Sequence, residues 1–187
     1  MNFNKHSELE GLHAFLSASK YHWINYSDGK LEETFNNYLA TERGTRLHNF
    51  AAEAIELGRK QRGKDTLAIY INDAIGFRMT PEQPLFYSPN CFGTADAIAY
   101  STTKKLLRIH DLKSGVTPAS MNQLKVYDAL FCLEYGFRPK DISIVDRIYQ
   151  LNEITEEEPE AEEIEEVMAK IIHFDKLIES IKAGERR

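Results

Sequence analysis

The sequence predicts an α/β fold with a central mixed β-sheet flanked by helices, and three observations carry that prediction. Apolar residues recur at helical spacing before residue 80 and again at the carboxyl end. Two short apolar-rich runs, 95–100 and 106–112, are separated by the polar stretch STTKK and read as a hairpin. A helical pattern then gives way to period-two alternation at 141–149. Helices, hairpin, helix, strand and helix, in that order, imply a mixed sheet with helices packed on it.

The elements follow in turn. LSASKYHWINYSDG starts a short helix, with Ser17 or Ser19 as N-cap and Ser27-Asp28-Gly29 as the turn that stops it. From Thr45, the residues Leu47, Phe50, Ala51, Ala54, Ile55 and Leu57 fall at helical spacing until Gly58, with Gly44 at the mouth of that helix. Residues 65–79 begin with an aspartate and carry Leu67, Ile71, Ala74, Ile75 and Met79, the pattern of a third helix. Pro81, Pro84, Pro89, Asn90 and Gly93 then punctuate short β-prone pieces such as LFYS. After the hairpin, residues 121–135 form a helix ended by Gly136, residues 141–149 a strand, and the tail from Glu160 an acidic helix with Ile164, Met168, Ile171 and Ile172 on its apolar side.

With 187 residues, 42% of them hydrophobic, the chain can bury one sizeable core, and a single domain over 1–187 is expected. There is no apolar run long enough to span a bilayer, and MNFNKHSELEG lacks the order of a secretory signal, so the expectation is a cytoplasmic protein with no membrane partner. Cys91 and Cys132 are the only cysteines, too few for a disulfide framework, a four-cysteine zinc site or a cysteine-held iron–sulfur cluster. Any metal must therefore be held by oxygen and nitrogen. The net charge of −6 argues on its own against nucleic-acid binding. Much of the acid, however, lies in EITEEEPEAEEIEE, while residues 43–64 carry Arg43, Arg46, Arg59, Lys60, Arg62 and Lys64, a candidate path for a polyanion.

Charges in the hairpin need a reason. Asp96 and Asp111 lie on neighbouring strands and converge if the register brings them level, which suits Mg²⁺ or Mn²⁺. Lys113 follows Asp111 by two residues and so shares its face, where an ammonium can stabilise charge building on phosphorus. Taken alone, Asp111 and Lys113 read more readily as a cross-strand ion pair at a solvated edge; the apolar residues around them and the company of the other motifs favour the functional reading. His48, four residues after Gly44, reads either as a core histidine or as a nitrogen ligand. Gln123 and Tyr127, also four apart, share one face of the following helix.

In that order, Gly44-x3-His48, Gly93-x2-Asp96, Asp111-x-Lys113 and Gln123-x3-Tyr127 resemble the motifs of the PD-(D/E)XK nuclease superfamily, nearest its RecB-like and Cas4-like branch with phage-encoded exonucleases. The segment LSASKYHWINYSDG also resembles the amino-terminal segment of a phage-associated branch, with Asn25 and Tyr26 where a Cys-Pro pair is often found. The resemblance implies a restriction-endonuclease-like core and a Mg²⁺- or Mn²⁺-dependent deoxyribonuclease acting in recombination, replication or DNA processing. It implies His48, Asp96, Asp111 and the carbonyl of Leu112 as metal ligands, Lys113 as the catalytic lysine, and Gln123 and Tyr127 as residues shaping the active site. DNA is the implied partner, alongside a helicase or recombinase, because the chain has no nucleotide-binding motif of its own.

Departures from the pattern set further expectations. Asp111 stands where glutamate is common, and the cluster-binding cysteines of Cas4-like proteins are missing, so no iron–sulfur cluster is expected. Glu53 and Glu82 occupy places where relatives sometimes carry an acid, although a solvated helix face and a loop explain them as well. The alternative to an enzyme is a catalytically silent nuclease-fold protein that binds or inhibits a host DNA repair or defence complex.

Overall fold

The computed structural model describes Ser7 and residues 14–185, and these fall into two compact units divided at Arg43/Gly44. In the first, a 3₁₀ segment Ala18–Asn25, kinked at Lys20, replaces the expected α-helix. Ser17 precedes it without a side-chain cap; its backbone carbonyl instead accepts from the Trp23 indole at 3.0 Å. Phe15 packs edge-on against Phe35 at 5.0 Å between ring centroids and beside Tyr38 at 5.5 Å.

Helix α1, Asp28–Glu56, carries the unit boundary. It begins seventeen residues before the expected start at Thr45, because Asp28 and Gly29, read as a stop, are its first residues. Gly44 is thus inside the helix, not at its mouth. A Cβ there would lie 3.1 Å from Ser114 Oγ, so glycine allows the helix to approach the loop that follows the hairpin.

In the second unit, α2 (Thr66–Gly76) starts at Asp65, whose carboxylate accepts from the Ala68 N–H at 3.0 Å. It ends three residues earlier than the apolar pattern suggested, because Phe77 and Arg78 leave the helix and Arg78 adopts φ 56°. Strands β1 (Thr80–Ser88), β2 (Cys91–Ser101), β3 (Leu106–Leu112), β4 (Ser143–Gln150) and β5 (Glu153–Glu157) form one sheet in chain order. β3 and β4 are parallel and the other neighbours antiparallel, as a mixed sheet requires. Helix α3 (Asn122–Tyr135) makes the crossover between the parallel pair and ends on Gly136 in the left-handed conformation. Helix α4 (Ala161–Glu185) closes the chain.

Each face of the sheet has its own core. Ala51, Ala54 and Ile55 of α1 join Tyr70, Ile71 and Ala74 of α2 over Ala97, Leu112 and Tyr149. Leu124, Leu130 and Phe131 of α3, with Ile164 and Ile171 of α4, cover Leu85, Ile98, Leu107, Ile109 and Ile148. The α/β class and the helix-flanked mixed sheet are as the sequence predicts.

Candidate metal centre

The register of the sheet sets three carboxylates on one rung. Pro81↔Ala97 and Gln83↔Ala95 bracket Glu82 and Asp96, and Ala97↔His110 is the last pair before Asp96 and Asp111. Glu82, Asp96 and Asp111 therefore stand level across β1, β2 and β3. Like charges directly opposite destabilise a sheet, and the ladder yields there: β2 and β3 stop pairing, and Glu82 takes the left-handed φ of 47° between its two paired neighbours.

The freed backbone is held by a side chain. The Leu112 N–H donates to Asp96 Oδ2 at 2.8 Å. On an extended strand the N–H and C=O of one residue point to the same side, so the Leu112 carbonyl faces the Asp96 side. The next N–H, from Lys113, donates to the Tyr149 carbonyl on the opposite side at 2.9 Å. The Leu112 side chain is buried in the α2 core.

A chain of polar contacts passes through these residues. His48 Nδ1 of α1 lies 3.3 Å from Asp96 Oδ1, and ligand atoms of His48, Glu82 and Asp96 lie within 4.8 Å of one another. Lys113 Nζ is 3.1 Å and 2.9 Å from the two Asp111 oxygens and donates to Gln123 Oε1 at 2.8 Å. Gln123 Nε2 donates to the Tyr127 hydroxyl at 3.0 Å. The Tyr127 ring rests on Gly93, where an added Cβ would come within 2.9 Å of Cε1. Gln150 positions the start of α3: its amide donates to the carbonyls of Gly115 and Thr117, and its Oε1 accepts from the Ala119 N–H.

The electrostatics follow from crowding. Asp111 is 1% exposed, and burial first, then the Asp96 charge, raise its pKa against the opposing pull of Lys113. Burial and the Asp96 charge likewise raise Glu82. The hydrogen bond to Asp96 raises His48, outweighing burial. Glu82 and Asp96 crowd one another beside His48, while Asp111, paired with Lys113, stands next to that group and outside its 4.8 Å span. A hard divalent cation fits this donor set of carboxylate oxygens, one carbonyl and one imidazole nitrogen.

His48, Asp96, Asp111, Leu112, Lys113, Gln123 and Tyr127, all picked out in the sequence, are thus brought together. Glu82 joins His48 and Asp96 although a loop explained it nearly as well in the sequence; the signal available there was the resemblance, in which relatives sometimes carry an acid at this place. Glu53 lies on α1 outside the cluster of possible metal ligands. No match was found when the chain was compared with protein-family models, with curated proteins and with solved structures.

Proposed function

We propose that the chain is a Mg²⁺- or Mn²⁺-dependent deoxyribonuclease that hydrolyses phosphodiester bonds at this centre. The observation that carries the reading is the single rung of Glu82, Asp96 and Asp111, flanked by His48 on one side and Lys113 on the other. A structural ion pair would need one carboxylate beside Lys113; it gives no reason for three at one level. The order and spacing of the motifs, which resemble those of PD-(D/E)XK nucleases, support the same conclusion.

In this reading His48, Glu82, Asp96, Asp111 and the Leu112 carbonyl would hold the cation, which when bound would supply Lewis-acid activation of water and neutralise charge on the phosphate. Asp111 and Gln123 fix the Lys113 ammonium, so it is oriented before substrate arrives. There it stabilises the negative charge that builds on the non-bridging phosphate oxygens. Gln123 and Tyr127 line the approach to that phosphate and orient it. Water's oxygen bonds to phosphorus, the bond from phosphorus to the 3′ oxygen breaks, and the proton lost by water balances the one gained by the leaving 3′ oxygen. The products are a 5′-phosphate and a 3′-hydroxyl.

The test is cleavage of linear and circular DNA in Mn²⁺, with Asp111→Ala and Lys113→Ala as controls. Loss of one such preorganised group lowers turnover by about 10²–10³-fold. Intact substrates with the native chain, or equal cutting by the variants, would sink the enzyme reading and favour a binding protein. Calorimetric titration with Mn²⁺ checks the centre separately, since Asp96→Ala should abolish the binding heat.

A further inference from the structure

We infer that the second unit carries a phosphate-binding groove distinct from the metal centre, built on Arg78, Lys104 and Arg108. The groove, of about 640 Å³, lies between the end of α2 and the far end of the β2–β3 hairpin and includes Phe77, Thr80 and Ser101 in its lining. Arg108 precedes Asp111 by three residues on β3, roughly 10 Å at the rise of a strand. It also faces the α2 side, whereas Asp111 alternates to the α3 side with Leu107 and Ile109.

The lining contains three cations and no carboxylate, in a chain whose net charge is −6. None of the three forms an ion pair among the described residues, in contrast to neighbouring Arg147, which Asp73 and Glu156 neutralise. Arg108 lies over the Phe77 ring at 4.4 Å, and Arg147 is 5.1 Å from the same centroid, so Phe77 is contacted by two guanidiniums. Arg108 Nη1 is buried without a hydrogen-bond partner, so a small turn of the guanidinium toward the groove would give an oxyanion the bond this donor lacks. A guanidinium fork held by stacking suits phosphate, which accepts two parallel hydrogen bonds. Arg78, in its left-handed conformation, and Lys104 stand exposed on the rim to take adjacent phosphates, and the Thr80 and Ser101 hydroxyls add donors.

The shared chemistry is a run of phosphates, from either a nucleic-acid strand or a free nucleotide. Binding is tested in EDTA, so the result does not depend on the metal centre or on catalysis. The probes are pyrophosphate, dATP and a fluorescent 20-nucleotide single strand, followed by calorimetry and anisotropy. Pyrophosphate should bind and displace the strand. Arg78→Gly combined with Lys104→Ala should raise Kd for the strand at least tenfold and flatten the slope of log Kd against log salt by about 1.4, two contacts' worth. Arg78→Gly also relieves the left-handed backbone, so the double variant should stay folded, and an unchanged circular dichroism spectrum separates loss of binding from loss of fold. Arg108→Lys keeps the charge, loses the fork, and should weaken pyrophosphate severalfold. Binding of pyrophosphate and dATP without the strand would support the site and assign it to free nucleotides. Failure of the native chain to bind any probe, or unchanged affinity in the variants, overturns the inference whether or not the protein cuts DNA.

Discussion

Gly93 has no room for a methyl group, and the neighbour that denies it is the Tyr127 ring. Gly93→Ala should push that ring away, break the Gln123–Tyr127 hydrogen bond and cost about 1–3 kcal/mol, the usual range for overpacking. Denaturant unfolding gives the stability loss; cleavage kinetics show whether the Gln123–Lys113 end of the chain of contacts loosens with it. Unchanged stability would mean that Tyr127 moves freely and positions nothing. Sequence alone could pair Gly93 with Asp96 and Gln123 with Tyr127 by spacing, because each pair is local. It could not show that the two pairs touch, since this contact depends on where α3 returns over β2. Glu82 was obscured for the same reason: its left-handed backbone and its place opposite Asp96 are products of strand register.

At the scale of elements, α3 and β4 are joined through two acids. Asp128 and Asp146 are both fully buried, and no oxygen of either makes a hydrogen bond of good geometry. Burial is the first cause raising both carboxyls; the Asp146 charge adds to it at Asp128 and the Glu157 charge at Asp146, against the pull of Lys125, which pairs with Glu157 and Glu163. A carboxyl whose folded pKa is raised binds its proton more tightly in the native state. Its penalty is therefore absent below the ordinary carboxylate range and grows as pH rises to the folded value of about 7 for Asp146. Unfolding free energy should fall by up to about 1.4 kcal/mol per pH unit for each such proton across this window. Asp146→Asn should flatten the fall and stabilise the protein at pH 8, as urea titrations at several pH values would show. Equal slopes for both proteins would exclude the pair as its source. The helices and central strands were legible because their apolar periods report burial. β5 was not: its EITEE is exposed along most of an edge strand, where pairing with β4 and the Arg147–Glu156 ion pair supply what apolar residues do not. The true start of α1 was likewise hidden, since Phe35, Tyr38 and Leu39 are partly exposed among polar residues and give little periodic signal.

For the molecule as a whole, the proposed metal centre would set function against stability. Packing Glu82, Asp96 and Asp111 level on one sheet raises the free energy of the metal-free fold, and the raised Glu82 and Asp111 carboxyls are the local sign of that conflict. A cation bound only by the native state must then stabilise the whole chain, by about 2.7 kcal/mol at a hundredfold excess over Kd. For a chain of this length this corresponds to a rise in Tm of roughly 5–10 °C. Glu82→Gln separates the two effects. It should raise metal-free stability by only a few tenths of a kcal/mol, ~0.5 at most, because Glu82 is exposed and its repulsion is screened by solvent, and it should reduce the rise produced by Mn²⁺. Both quantities come from thermal unfolding with Mn²⁺ or with EDTA. If Glu82→Gln keeps the full rise, the third acid on the rung is not a ligand; if the native chain shows no rise, the rung is not a metal centre. A gain without metal joined to a smaller rise in Mn²⁺ is expected of a site whose charges are arranged for a ligand, because a purely structural cluster would shift alike in both buffers.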